Sequence, residues 1–98
     1  MFARLTFAKM QPGKFEEVNK IFAESIVPAA KAQKGFRGIY MLRSTEDPDT
    51  GIALAFWESK EDADTGVQSG YYQEQVQKVA PFFAAMPERK DYEVAVEG

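Results

Sequence analysis

The chain opens on a period of two. In "FARLTFAKM" (2–10) β-forming residues alternate, placing Leu5 and Phe7 on one face and Arg4 and Thr6 on the other, which predicts a strand. "QPGK" (11–14) is a turn, and the period then lengthens: Phe15, Val18, Phe22, Ile26 and Ala29 step by three and four, the apolar stripe of a helix. Pro28 lies in that stripe. It lacks an N–H and disfavours α geometry at Val27, so the pattern predicts a kink or break there and an end to the helix by Gly35.

"GFRGIYMLRS" (35–44) and "IALAFWE" (52–58) read as a second and a third strand, and "TEDPDTG" (45–51) supplies the Pro, Asp and Gly of a hairpin connection. Ser59 is a good N-cap, with Asp62 three positions on, and Glu61, Asp62 and Asp64 complement the dipole of the helix that follows. Gly66 and Gly70 weaken this second helix, which is expected to bend or restart there. Tyr72, Val76, Val79 and Phe83 then form a stripe that Pro81 and Pro87 bring to an end. "DYEVAVE" (91–97) alternates again, as a final strand.

The order β-α-β-β-α-β is the ferredoxin-like, split βαβ pattern of an α+β domain. Right-handed crossovers would give one four-stranded antiparallel sheet with both helices on the same face. With Leu5 turned to the helices, Arg4 would face away from them and pair with a carboxylate such as Glu58 or Glu93. The third strand is apolar on both sides, since Ala53, Ala55 and Trp57 alternate with Ile52, Leu54 and Phe56. A strand buried on both faces needs a second cover. A homodimer packed through the helix-free face, with Trp57 close to the interface, is the economical one.

Composition narrows the chemistry. Ninety-eight residues predict a single domain over 1–98. Net charge is −3, and Lys and Arg are scattered apart from Arg89-Lys90, so no basic stripe follows a phosphate backbone and nucleic acid is not an expected partner. There is no cysteine, which excludes disulfides and thiolate chemistry. There is no histidine, which excludes Ser-His catalysis and His-ligated zinc or haem iron. No apolar run approaches the roughly 18 residues of a membrane span and no leader is legible, so the expectation is a cytoplasmic protein without membrane contact.

Four segments carry a resemblance: "PGKFEE" at the first helix, "VPAAKAQKGFRGIYMLR" (27–43), "WESKEDA" (57–63) and "YEVAV" (92–96). In these the chain resembles the antibiotic biosynthesis monooxygenase family of dimeric α+β barrels. That resemblance implies two sheets packed face to face as a homodimer, each subunit keeping a pocket between its sheet and its own helices. The family is functionally mixed, so the fold does not fix the reaction. Its haem-degrading branch relies on an Asn in the first strand and a Trp and a His in the second helix. Ala3, Gly66 and Val76 fall at those places here, which disfavours haem degradation. The branch that oxidises quinols or aromatic polyketides needs neither metal nor flavin, because an ionised phenol can itself give electrons to O₂. The implied cofactor set is therefore none.

For that chemistry the candidate catalytic residues are Tyr72 and Trp57, and the candidate substrate-binding residues are Phe22, Tyr40, Tyr71 and Phe83. Asn19, Arg4 and Arg43 are further polar candidates. Each has a plainer role: Trp57 as core or dimer interface, Tyr72 as packing with a tethered hydroxyl, Tyr71 and Asn19 as surface. Asp47 and Asp49 suggest a calcium loop, but the later bidentate Glu is missing and a hairpin accounts for them. Glu16 and Glu17 point about 100° apart on a helix and cannot converge as an acid/base pair. Two readings remain: a cofactor-independent monooxygenase acting on a phenolic, quinol or polyketide-like molecule, and a non-catalytic dimeric barrel that binds a small apolar ligand or only itself.

Overall fold

The computed structural model describes residues 1–98. Its elements run β1 (Phe2–Lys9), α1 (Phe15–Ile21), a π turn (Phe22–Ile26), α2 (Val27–Lys31), β2 (Phe36–Arg43), β3 (Thr50–Trp57), α3 (Lys60–Gln68), α4 (Gly70–Val76), a short 3₁₀ turn (Ala80–Phe82) and β4 (Glu88–Glu93). The strands form one antiparallel sheet in the order β2-β3-β1-β4, the ferredoxin-like arrangement. The helices cover one face of it, and the sheet does not close on itself within one chain.

Local chemistry explains the boundaries. Ser59 caps α3, its hydroxyl accepting from the Asp62 backbone N–H at 3.1 Å. Pro28 does not break the first helix. In a regular helix its ring would meet the carbonyl of Glu24, four residues back. Just ahead of it the ladder widens, the Val27 N–H reaching the Phe22 carbonyl five residues back, and the helix continues to Lys31. Of the two glycines in the second helical segment only Gly70 marks a restart: Ser69 leaves helical geometry at ψ 130°, while Gly66 remains inside α3.

The last strand is shifted from its expected span of 91–97. It pairs with β1 from Phe7↔Glu88 to Phe2↔Glu93, and the Val94 N–H closes on the Met1 carbonyl. Val94 and Val96, whose alternation suggested the strand, lie beyond the β1–β4 ladder.

The two faces of the sheet are also the reverse of the expected assignment. Arg4, Thr6 and Ala8 of β1, Ala53, Ala55 and Trp57 of β3, and Ile39 and Met41 of β2 point toward the helices. By alternation Leu5, Phe7, Ile52, Leu54 and Phe56 point away, together with the exposed Tyr40 and Leu42. Periodicity separates the two sets of side chains but does not say which set is inside. The smaller set is inside, and it leaves space.

The core joins Met10, Phe15, Val18, Phe22, Ile26, Ala29, Ala30, Tyr72 and Val79. A second cluster packs Trp57 against Ala55 and Ala63. Trp57 is only 1% exposed and meets the edge of the Phe36 ring. It lies beneath α3, not at the helix-free face as expected. Gly66 makes that approach possible: a Cβ there would stand 2.7 Å from the indole.

Candidate functional site

Between the sheet and its helices lies a cavity of about 230 Å³. Its floor is made of the small side chains just named, chiefly Thr6, Ala8, Ala53 and Ala55. Val18, Phe22 and Ile26 wall one side, and Val67, Tyr72 and Val76 the other. Met10, Val79 and Phe83 close the end, with an antiparallel bridge between Met10 and Phe83. An apolar cavity of about 150 Å³ holds a benzene molecule. This one has room for a substituted ring or a compact pair of rings.

The charged groups in the lining, with Thr6, gather along the β1–β4 edge. Thr6 lies opposite Arg89 and Arg4 opposite Asp91 in the strand register. Arg4 is 4% exposed, and two carboxylates hold it from behind. Its Nε donates to Asp91 Oδ1 at 2.8 Å, and its Nη2 to Asp64 Oδ1 at 2.7 Å and to Asp91 Oδ2 at 3.2 Å. Lys60 steadies Asp64 from outside, 3.0 Å from its Oδ2. The pairing raises the Arg4 pKa, mainly through Asp91, and the guanidinium holds both Asp91 and Asp64 below the usual carboxylate range. The remaining nitrogen, Nη1, is buried and has no acceptor.

Tyr72 is 8% exposed, and its ring forms part of the cavity wall. Burial raises its phenol pKa, the charge of Arg4 opposes that shift, and no hydrogen bond contributes. The hydroxyl is therefore protonated at neutral pH and free to donate. Gln73 also reaches the lining, but its amide is engaged with the Val67 carbonyl at 2.6 Å.

Of the six residues singled out in the sequence, Tyr72, Trp57, Phe22 and Phe83 come together around this cavity. Tyr40 does not. It is 58% exposed on the opposite face, where it meets Phe56 edge to face, because odd and even positions of β2 point to opposite sides. Tyr71 is 51% exposed, one helical step off the inward position of Tyr72. Arg43 pairs with Glu16 at 2.7 Å and covers the Phe15 ring, away from the cavity. Asn19 lines no part of it either, although its Oδ1 is buried without a partner.

Arg4 corrects the sequence reading most sharply. It faces the helices, and its partners are Asp64 and Asp91 rather than Glu58 or Glu93. The missed residues are Thr6, Arg89 and the two aspartates. Thr6 shares a face with Arg4, so the correct orientation of β1 would have found it. Arg89 and Asp91 require the β1–β4 register, which no periodicity contains.

A family model described as antibiotic biosynthesis monooxygenase matches residues 1–78. The chain belongs to this family. Solved structures agree with the family fold. A candidate antibiotic biosynthesis monooxygenase from Bordetella bronchiseptica superposes with a TM-score of 0.87 at 22% identity, covering 97% of each chain. One from Nitrosomonas europaea gives a TM-score of 0.84 at 17% identity, covering 98% of this chain and 100% of the other. SnoaB, a cofactor-independent oxygenase from Streptomyces nogalater solved as its N63A mutant, gives 0.84 at 12% identity, covering 98% of this chain and 94% of SnoaB. Identities this low establish the shared fold and leave the reaction of each protein its own. No curated protein matches in sequence.

Proposed function

We propose that this chain is a cofactor-independent monooxygenase that oxidises a phenolic, quinol or polyketide-like aromatic in the cavity between sheet and helices. One observation carries the reading: the free hydroxyl of Tyr72 and the charge of Arg4 share a largely apolar cavity large enough for an aromatic ring. SnoaB, which has the same fold, is a cofactor-independent oxygenase. A phenol with a free para C–H can be taken to a quinone by O₂ alone. The phenolate gives one electron to O₂, the two radicals combine at the para carbon, and the peroxide loses water. One oxygen atom stays in the quinone and the other leaves as water.

The protein's part is to bind, polarise and keep dry. No carboxylate lines the cavity, so the phenol loses its proton to solvent or on entry, and the positive end of the cavity favours the anion. Tyr72 donates a hydrogen bond to the developing oxyanion, and the apolar walls exclude water from the radical pair. Trp57, Phe22 and Phe83 serve as walls of the substrate site.

The functional unit is proposed to be a homodimer through the helix-free face, where Leu42, Tyr40 and Tyr92 are exposed beside Leu54 and Phe56. An apolar surface of that kind on a soluble chain marks a partner. No helix of the chain is long and apolar enough to cross a membrane.

The test is oxygen uptake over a panel of hydroquinones and polycyclic phenols without added metal or flavin, corrected for spontaneous oxidation; for the phenols with a free para C–H, ¹⁸O₂ traces one labelled oxygen into the quinone. Tyr72→Phe should lower the rate about ten- to a thousandfold, as when one oxyanion donor is lost, while leaving the oligomeric state unchanged. If no phenol exceeds its blank, or Tyr72→Phe reacts as fast as the parent, the non-catalytic barrel is the better account.

A further inference from the structure

The proposed chemistry uses the charge of Arg4 but leaves its buried Nη1 unexplained. A buried donor without an acceptor costs stability, and an orphaned nitrogen on a guanidinium whose other nitrogens are fully engaged calls for a reason. Asp64 and Asp91 fix the guanidinium from two directions, and Arg4 itself lines the cavity. Thr6 and Arg89 lie beside it on the same face of β1 and β4, and both line the cavity. Asp64 and Asp91 stand behind the guanidinium and outside the lining, so the charge presented to a ligand is positive only.

We propose that Arg4 Nη1, with Arg89 and Thr6, is the anchoring site for a carboxylate carried by an aromatic ligand, so that the substrate is a hydroxyaromatic acid. A carboxylate is ionised at neutral pH and offers two oxygens with about four lone-pair positions, enough for the N–H groups of Nη1, for Arg89 and for the Thr6 hydroxyl. A single phenol oxygen could satisfy only part of that set. The apolar remainder of the cavity takes the rings and places the far end of the ligand against Tyr72. In calling the ligand a substrate, this inference rests on the phenol-oxidising reading above. The binding site itself does not depend on it.

The experiment is calorimetric titration of the full-length protein with 2-naphthoate, its neutral isostere 2-naphthamide, and 2-naphthol. 2-Naphthoate should bind at least about tenfold more tightly than the amide, the scale of one charge-assisted hydrogen bond. Arg89→Gln should weaken naphthoate several-fold and leave the amide unchanged. Arg4→Gln combined with Asp91→Asn, which avoids stranding that carboxylate, should abolish the preference for the anion. Should the double variant fail to fold, the ligand series and Arg89→Gln still decide. Equal affinity for acid and amide, tighter binding of 2-naphthol than of 2-naphthoate, or an anion preference that survives these substitutions would each overturn the assignment. 2-Naphthoate has no hydroxyl to oxidise, so its binding is read apart from turnover. Failure of oxygen uptake and failure of carboxylate recognition are thus separate results.

Discussion

The two faces of one sheet are built from different side chains. Toward the helices β1 and β3 present Thr6, Ala8, Ala53 and Ala55, and away from them Leu5, Phe7, Ile52, Leu54 and Phe56. A core packed to ordinary density would carry the large residues inside. Here, Arg4 and Trp57 apart, the inner face of these two strands carries small ones, so that helices spanning it leave a cavity with its charged groups along one edge. The outer face carries bulk that the helices do not cover, and Tyr40 and Leu42 stand exposed on it. The inner face thus leaves room for the proposed small guest, and the outer face is the proposed contact with a second copy.

The largest effect is expected from crossing that division on the outer side. Leu54 is central, paired with Leu5 on one strand and Tyr40 on the other. Leu54→Glu puts a charge in the middle of the proposed dimer interface and should raise the dissociation constant at least about a hundredfold. Light scattering at micromolar concentration should then report the monomer mass for the variant and the dimer mass for the parent. A variant that stays dimeric would remove this face from the assembly.

A smaller effect, and one with a sign to check, lies beneath α3. At an open helix position Gly→Ala gains about 1 kcal/mol. At Gly66 the added methyl would stand 2.7 Å from the buried Trp57 ring, so Gly66→Ala should instead lose about 1–3 kcal/mol. Urea unfolding measures it, and a gain would mean that Trp57 is not pinned by Phe36 and Ala63.

These positions also show what could be read in advance. All four strands, both helical segments and the Ser59 cap follow from period, turn residues and capping chemistry, which are local. Two things were not local. The orientation of β1 depends on what the helices can pack against, so alternation alone puts Arg4 on the wrong side and Trp57 close to the interface. The extent of β4 depends on its register against β1, which the alternation of Val94 and Val96 does not contain. The aromatic part of the site, Tyr72, Trp57, Phe22 and Phe83, was legible because each lies on an apolar stripe. Its charged part was not, because Arg4, Asp64, Arg89 and Asp91 meet only through register.

The smallest effect concerns the carboxylates behind Arg4. Asp91 and Asp64 are both held below their ordinary value of 3.8, chiefly by the guanidinium. A depressed folded pKa contributes stability that is present above the unfolded value and lost as pH falls through the folded one. Asp91→Asn should therefore cost up to about 1 kcal/mol at neutral pH, solvent screening limiting it. The difference from the parent should shrink once the pH drops below about 3.8. Denaturant melts across that range check this, and a difference that stays constant with pH would contradict the pairing.

The central claim is that small side chains on the inner face keep a ligand cavity open. Trp57, the only tryptophan, lines that cavity and reports on its occupancy. The most direct measurement is titration of its fluorescence with 1,4-naphthoquinone, the product type of the proposed reaction, in the parent and in Ala55→Phe. The parent should show saturable quenching with one site per chain. Ala55→Phe, which fills the cavity from its floor, should keep the parent's oligomeric state and show only weak quenching that rises in proportion to the quinone. Saturable quenching of equal affinity in both proteins, or none in the parent, would contradict the account.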